Sequence, residues 1–200
     1  MMRVPERKTY AMTEYTNPNA SKHRWDSGLA EGSWKGMKKF LEQDRLCEAL
    51  QGRVQYDFTW YPAFGGNSGI YTVLLDRKVV KKFGTGYAYR MLTRKGFKIE
   101  HLDVVHEVPL ESRDEYTDFE LSKALRDYRR QSIDLSIASD NPMIRMFAIV
   151  DRRIGKRRLE KLKDEIEQQP EWLRTLYLAR MQAEGVIPSG VEEACGGEAD

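Results

Sequence analysis

An α+β fold is predicted by three observations. Apolar residues recur at helical spacing from Trp34 to Leu50, switch to strict alternation at Val54, and return to helical spacing from Asp114 onward. The expected architecture is an N-terminal helix, an antiparallel sheet of three to four strands, and a C-terminal helical half.

In the first element, Trp34, Met37, Phe40, Leu41, Leu46, Cys47 and Leu50 would share one helix face. Ser33 is the expected N-cap, because its hydroxyl can accept from an orphan amide of the first turn. Gly52 follows the last periodic residue, where a helix-ending glycine is expected. The strand signal comes next. Val54, Tyr56, Phe58 and Trp60 alternate with Arg53, Gln55, Asp57 and Thr59, which predicts a strand with one face against helices. Residues 62–69 (PAFGGNSG) are expected to be a loop. Ile70–Leu75 and Val79–Phe83 are expected to pair as strands about a turn at Asp76, Arg77 and Lys78.

A short helix is predicted between Gly84 and Gly96, carrying Tyr87 and Met91. Phe97–Val108 alternates imperfectly and is the candidate fourth strand, ended by Pro109. Beyond Asp114 the chain reads as helix. Tyr116, Phe119, Leu121, Leu125 and Tyr128 trace one face. Ser139, Asp140, Asn141 and Pro142 form a start signal, with capping side chains followed by a proline where no amide is needed. The helix they open is apolar on most sides, which places it in the core. Leu159, Leu162 and Ile166 carry a further helix, and a last one starts at Pro170.

These elements divide the chain. Residues 1–32 form an expected flexible N-terminal tail, with Trp25 its one large anchor. Residues 33–187 form a single α+β domain, made of helix plus sheet (33–112) and a helical subdomain (113–187). Residues 188–200 form an expected acidic, disordered tail.

Composition bounds the function. With 40% hydrophobic and 32% charged residues, a chain of 200 can build a core without covalent staples. Cys47 and Cys195 have no CxxC partner, so a reducing, cytoplasmic setting is expected. The longest apolar run, Met146–Val150, is far too short for a membrane span.

The net charge of +2 hides a block pattern. Residues 70–98 hold eight Lys/Arg against Asp76, and residues 103–120 hold seven acids against Arg113. Residues 123–163 hold twelve Lys/Arg against five acids. Such blocks reflect either intramolecular pairing or a partner surface.

Two segments resemble a known family. One is Leu46-Cys47-Glu48-Ala49-Leu50-Gln51-Gly52-Arg53-Val54-Gln55-Tyr56, with the strand pair through Phe83. The other is Ser139-Asp140-Asn141-Pro142-Met143-Ile144-Arg145, running through Asp151-Arg152-Arg153-Ile154-Gly155-Lys156-Arg157 to Leu159, then Glu184-Gly185. Together they are similar to a family of small, functionally uncharacterised bacterial proteins. The likeness covers roughly residues 34–187 and implies domain limits, with no activity or cofactor.

No catalytic set can be assembled from the sequence, and no metal or cofactor is expected. His101, Asp103, His106 and Glu107 form the one acid–base cluster. However, on a strand His106 points away from His101, and on a helix their spacing is not that of a two-histidine ligand pair. Gly65, Gly66 and Gly69 lack the Lys-Ser/Thr pair of a phosphate loop. Asp76 and Lys78 resemble a nuclease carboxylate–lysine set, yet no second carboxylate stands beside them.

Two basic regions carry the binding candidates: Arg77, Lys78, Lys81 and Lys82 on the hairpin, and Arg152, Arg153, Lys156, Arg157 and Arg158 after the core helix. Each suits nucleic acid or another anionic partner. Each also has a plainer explanation, as edge lysines that deter aggregation or as a basic helix terminus. Pairing of 152–158 with the acidic 103–120 segment is a further alternative. Three functional classes stay open: a non-enzymatic binding or regulatory protein acting on a protein partner, a nucleic-acid-binding protein using both basic regions, and an enzyme whose site assembles from distant residues.

Overall fold

The computed structural model describes residues 34–63 and 66–188. The expected N-terminal tail at 1–32, the expected C-terminal tail at 188–200 apart from Pro188, Ser33, and the Trp60 and Asp103 side chains lie outside the described residues.

The first helix is shorter than its apolar pattern. Helix α1 (Trp34–Lys39) runs into a π-helical turn, Phe40–Arg45, and the chain then extends. Leu46 makes an isolated antiparallel bridge with Asp151. The Cys47 amide donates to the Val150 carbonyl at 3.0 Å, and the Arg152 amide to the Arg45 carbonyl at 2.8 Å. This bridge interrupts the predicted helix at Leu46 and Cys47, and a 3₁₀ turn follows at Glu48–Leu50. Extended backbone lets the adjacent Leu46 and Cys47 both be buried while their amide and carbonyl groups find partners, which meets the demand of buried backbone. Gly52, at φ +77°, turns the chain into the sheet rather than ending a helix.

Among the described residues the sheet has three antiparallel strands in the order β1 (Val54–Ala63), β2 (Gly66–Leu75), β3 (Lys78–Phe83). Its core face carries Val54, Tyr56, Tyr71, Val73 and Phe83, all buried, with Phe58 half-buried against Tyr71 at 4.7 Å between ring centroids. Of the expected loop over 62–69, residues 62–63 and 66–69 are instead paired strand, with Pro62 opposite Asn67 and Ala63 opposite Gly66, and 64–65 lie outside the described residues. Gly69 lies in a strand because the Phe58 ring fills the space of a side chain. A Cβ there would stand 2.7 Å from the ring.

The β2–β3 turn has two residues rather than three. Asp76 (φ +49°) and Arg77 (φ +67°) both adopt left-handed backbone, as a type I′ turn requires, and Lys78 pairs with Leu75. Arg53 anchors the turn through Nε and Nη2 bonds of 2.9 and 2.8 Å to the Asp76 carboxylate. The β2–β3 register shifts between Val73 and Leu74, so Val80 is the extra residue of a bulge.

Helix α2 (Thr85–Arg94) follows β3 as expected. The candidate fourth strand over 97–108 is irregular and contains a 3₁₀ turn at Leu102–Glu107. Its alternate apolar residues Phe97 and Ile99 pack, with Val105, on Ala88 and Leu92 of α2 instead of joining the sheet.

The helical half comprises α3 (Asp118–Arg130), α4 (Ile133–Ile137), α5 (Pro142–Ile149), α6 (Lys156–Glu160), α7 (Lys163–Glu167) and α8 (Glu171–Ala183). Thr117 caps α3 in a reciprocal box with Glu120. Asn141 caps α5, whose Pro142 occupies the first turn. All eight residues of α5 are buried, and it packs against α3, α4 and α8. Phe119 departs from its expected face: it is 60% exposed, while Leu121, Ala124, Leu125 and Tyr128 carry the buried side of α3. One buried cluster runs from Met37 to Met181, so sheet and helices share a core.

Among the described residues no helix is long and apolar enough to cross a membrane.

Candidate functional site

The hairpin formed by β2 and β3 stands beside the start of α8, and between them lies a cleft of about 580 Å³. Lys78, Val79 and Val80 line one wall, and Glu171, Trp172 and Thr175 the other. Lys81 closes the floor. It is 8% exposed, with its ammonium 3.5 Å from Asp114 and 3.3 Å from Glu115. The same ammonium stands 5.8 Å from the Tyr116 ring centroid and 6.0 Å from that of Trp172. The Trp172 indole donates to Asp114 at 2.7 Å. Lys95 reaches the other oxygen of Glu115 at 3.4 Å. The acidic segment therefore pairs with the hairpin and α2 block.

Arg113, the one base of that segment, is its organiser. Its buried guanidinium donates to the carbonyls of Val108 (2.7 Å) and Glu115 (2.6 Å) and to the Glu120 carboxylate.

The hairpin cations thus differ in state. Lys81 is engaged internally. Arg77 and Lys78 are exposed and Lys82 half-buried, and among the described residues none of the three has an ion-pair partner. Val79 between them is 54% exposed.

The second basic region is built around Asp151, whose side chain is fully buried. Its carboxylate accepts from the Tyr128 hydroxyl, from the Arg153 amide at 2.8 Å and from Arg153 Nη2 at 2.6 Å. Burial by itself would raise this carboxyl; the hydrogen bonds from Arg153 and Tyr128 outweigh it and hold the group below the ordinary carboxylate value. Arg180 of α8, 2% exposed, closes the turn by donating to the carbonyls of Asp151 (3.2 Å) and Ile154 (2.9 Å). Lys156 lies 3.8 Å from the Glu184 carboxylate, and Arg158 pairs with Asp134. Arg152 and Arg157 are exposed without an ion-pair partner among the described residues. The carboxylates serving this region are Asp151, Glu184 and Asp134, rather than those of 103–120.

The two regions sit at opposite ends of one helix. Lys81 lies against Trp172 in the first turn of α8, and Lys156 reaches Glu184 just past its last. At 1.5 Å per residue these ends are about 18 Å apart along the axis.

Other constellations carry less. His101 and His106 are exposed, and among the described residues no group of three or more His, Cys, Asp or Glu side chains could hold a metal ion. Asp76 is occupied by Arg53. Cys47 is buried, and loss of hydration pushes its thiol up, away from the reactive thiolate.

Sequence reasoning missed Val79, Asp114, Trp172 and Arg180. Only Val79 had a usable signal, since a two-residue turn at Asp76-Arg77 would have put it opposite Leu74. The others come together through contacts between residues far apart in the chain.

No curated protein and no solved structure matches this chain. A family model does match, over residues 33–181, which spans α1, the sheet, the cleft and nearly all of α8. The chain is therefore a member of the SF0329 protein family.

Proposed function

We propose that this chain is a non-enzymatic binding or regulatory protein that acts on a protein partner, in the cytoplasm of a bacterium, through the cleft between β3 and α8. The observation that carries this is Val79, 54% exposed at the mouth of a cleft of about 580 Å³ and flanked by cations without internal partners. Val79 is not alone there: with Leu75, Val80 and Trp172 it makes an apolar strip along the cleft, and a contiguous apolar strip rimmed by polar groups is a feature of protein-binding surfaces. An enzymatic reading has less support. Lys81, the lysine in the cleft floor, is held by two carboxylates, and the Tyr128–Asp151 pair is sealed from solvent. The nucleic-acid alternative is weakened by the internal pairing of Lys81, Arg153, Lys156 and Arg158.

The test places a photo-crosslinking residue at Val79 and, as a control, at the exposed Glu160. Crosslinking to one protein from position 79 only is expected. That protein, once purified, should bind wild type and lose at least tenfold in affinity to Val79→Asp. Equal crosslinking from both positions, or a purified candidate indifferent to Val79→Asp, would overturn the proposal. Titration with labelled DNA and RNA at two salt concentrations addresses the alternative. Steeply salt-dependent binding would favour nucleic acid.

A further inference from the structure

We propose that the open edge of β3 takes up an extended acidic segment of the partner as a fourth strand; this rests on the protein-partner function above and names the chemistry of the partner.

A three-stranded sheet has two edges, and here they differ. On β1 the Tyr56 amide is taken by Glu42 at 2.7 Å and the Asp57 carboxylate by Lys38 at 2.8 Å, so α1 and the π-helical turn after it cover that edge around Tyr56 and Asp57. On β3 the far part is also covered, because the Gly84 amide donates to the Tyr116 carbonyl at 3.1 Å and Lys81 is tied to Asp114 and Glu115. Lys78–Val80 is the stretch left facing the cleft. The tight turn closes on the Leu75–Lys78 pair. Hydrogen-bonded and non-hydrogen-bonded pairs alternate along an antiparallel ladder, so Val79, opposite Leu74, directs its N–H and C=O outward. Both are available to an incoming strand, which needs about 4.8 Å of lateral space.

The charge selects the occupant. Among the described residues Arg77, Lys78 and Lys82 have no ion-pair partner; of the nearby carboxylates Asp76 and Asp114 are engaged by Arg53 and Lys81, and exposed Glu171 on the opposite wall is left, so the unpaired cations outnumber the unpaired acids three to one. A second copy laid on this edge would bring two sets of these cations together, and like charges across strands are destabilising. Successive side chains of a strand face opposite ways, so Val79 offers an apolar contact on one face and Lys78 a cation on the other. The fitting partner is a strand that alternates acidic and apolar residues.

The probe is the capped peptide Glu-Val-Glu-Val-Glu, titrated into the full chain and followed by amide NMR and calorimetry. Saturable binding is expected, with the Val79 amide among the most shifted. Replacing Glu by Lys, or N-methylating the peptide backbone, should each weaken binding at least tenfold. Val79→Pro removes the outward amide without touching a ladder bond and should do the same, while Val79→Ala should keep most of the affinity. No binding at about 1 mM peptide, a level at which even very weak complexes half-form, would overturn the proposal. So would an N-methylated peptide that binds as well as its parent. If the peptide fails while the crosslinked partner still depends on Val79, strand addition is wrong and the protein-partner function stands. If both fail, both are wrong.

Discussion

The two basic regions look alike in sequence and differ in what they do with charge. Around Lys81, a lysine is drawn under two aromatic rings and two carboxylates, and its neighbours Arg77, Lys78 and Lys82 are left outward. In the 151–158 segment the density of cations serves a buried acid instead. Asp151 is the hub, Arg153 and Tyr128 satisfy it, and Lys156 and Arg158 are engaged by Glu184 and Asp134. Cation density in the sequence is therefore a poor guide to surface potential. What matters is which carboxylates the fold brings close.

The strongest way to break this contrast is to remove the hub. Asp151→Ala deletes the acceptor of a buried hydroxyl and a guanidinium, and should destabilise the chain by about 3 kcal/mol. Urea unfolding measures it. A loss below about 0.5 kcal/mol, the size of an ordinary surface change, would show that Asp151 is no hub. Acid should act in the same direction. The folded Asp151 carboxyl titrates below its unfolded value, so its contribution is complete above the ordinary carboxylate range. That contribution is lost as pH falls through the depressed folded value. Asp151→Asn should flatten that acid limb relative to wild type.

A smaller effect separates two adjacent lysines. Lys81→Ala leaves Glu115 buried with Lys95 alone and empties the space beneath Trp172, at an expected cost of about 2 kcal/mol. Lys82→Ala should cost less than about 0.5 kcal/mol. Equal effects would erase the distinction between a buried and an outward lysine on β3.

The smallest effects belong to the partly solvated pairs of the second region. Lys156→Ala and Arg158→Ala should each change stability by no more than about 0.5 kcal/mol, because exposed ion pairs gain little in water. A larger loss from Arg158→Ala would mean that its pair with Asp134 braces α4 against α6.

How much was legible follows from the range of each interaction. The β2–β3 turn, α2, the Asn141–Pro142 start and the buried α5 depend on residues within a turn or two of one another, and their patterns are visible in the chain. The helix expected over 33–50 failed at Leu46 because Asp151, a hundred residues away in sequence, supplies a better partner for its backbone. Residues 97–108 failed as a strand because apolar alternation does not say whether the face it makes will meet a sheet or a helix. Phe119 shows the same limit on a helix, where a shift of two positions moves an apolar residue from core to solvent.

By itself, then, the sequence determined the α+β class and the order of a first helix, a sheet and a helical half, since these rest on local periodicity and residue type. It also showed the alternation of charge blocks. Only the tertiary structure decided that the acidic block engages Lys81 and Lys95 of the first basic block, that Asp151 and Arg180 build the second, and that, among the described residues, Val79 is left outward on β3. Those outcomes depend on which distant backbone and side-chain groups become neighbours when the core closes, and no local pattern encodes that.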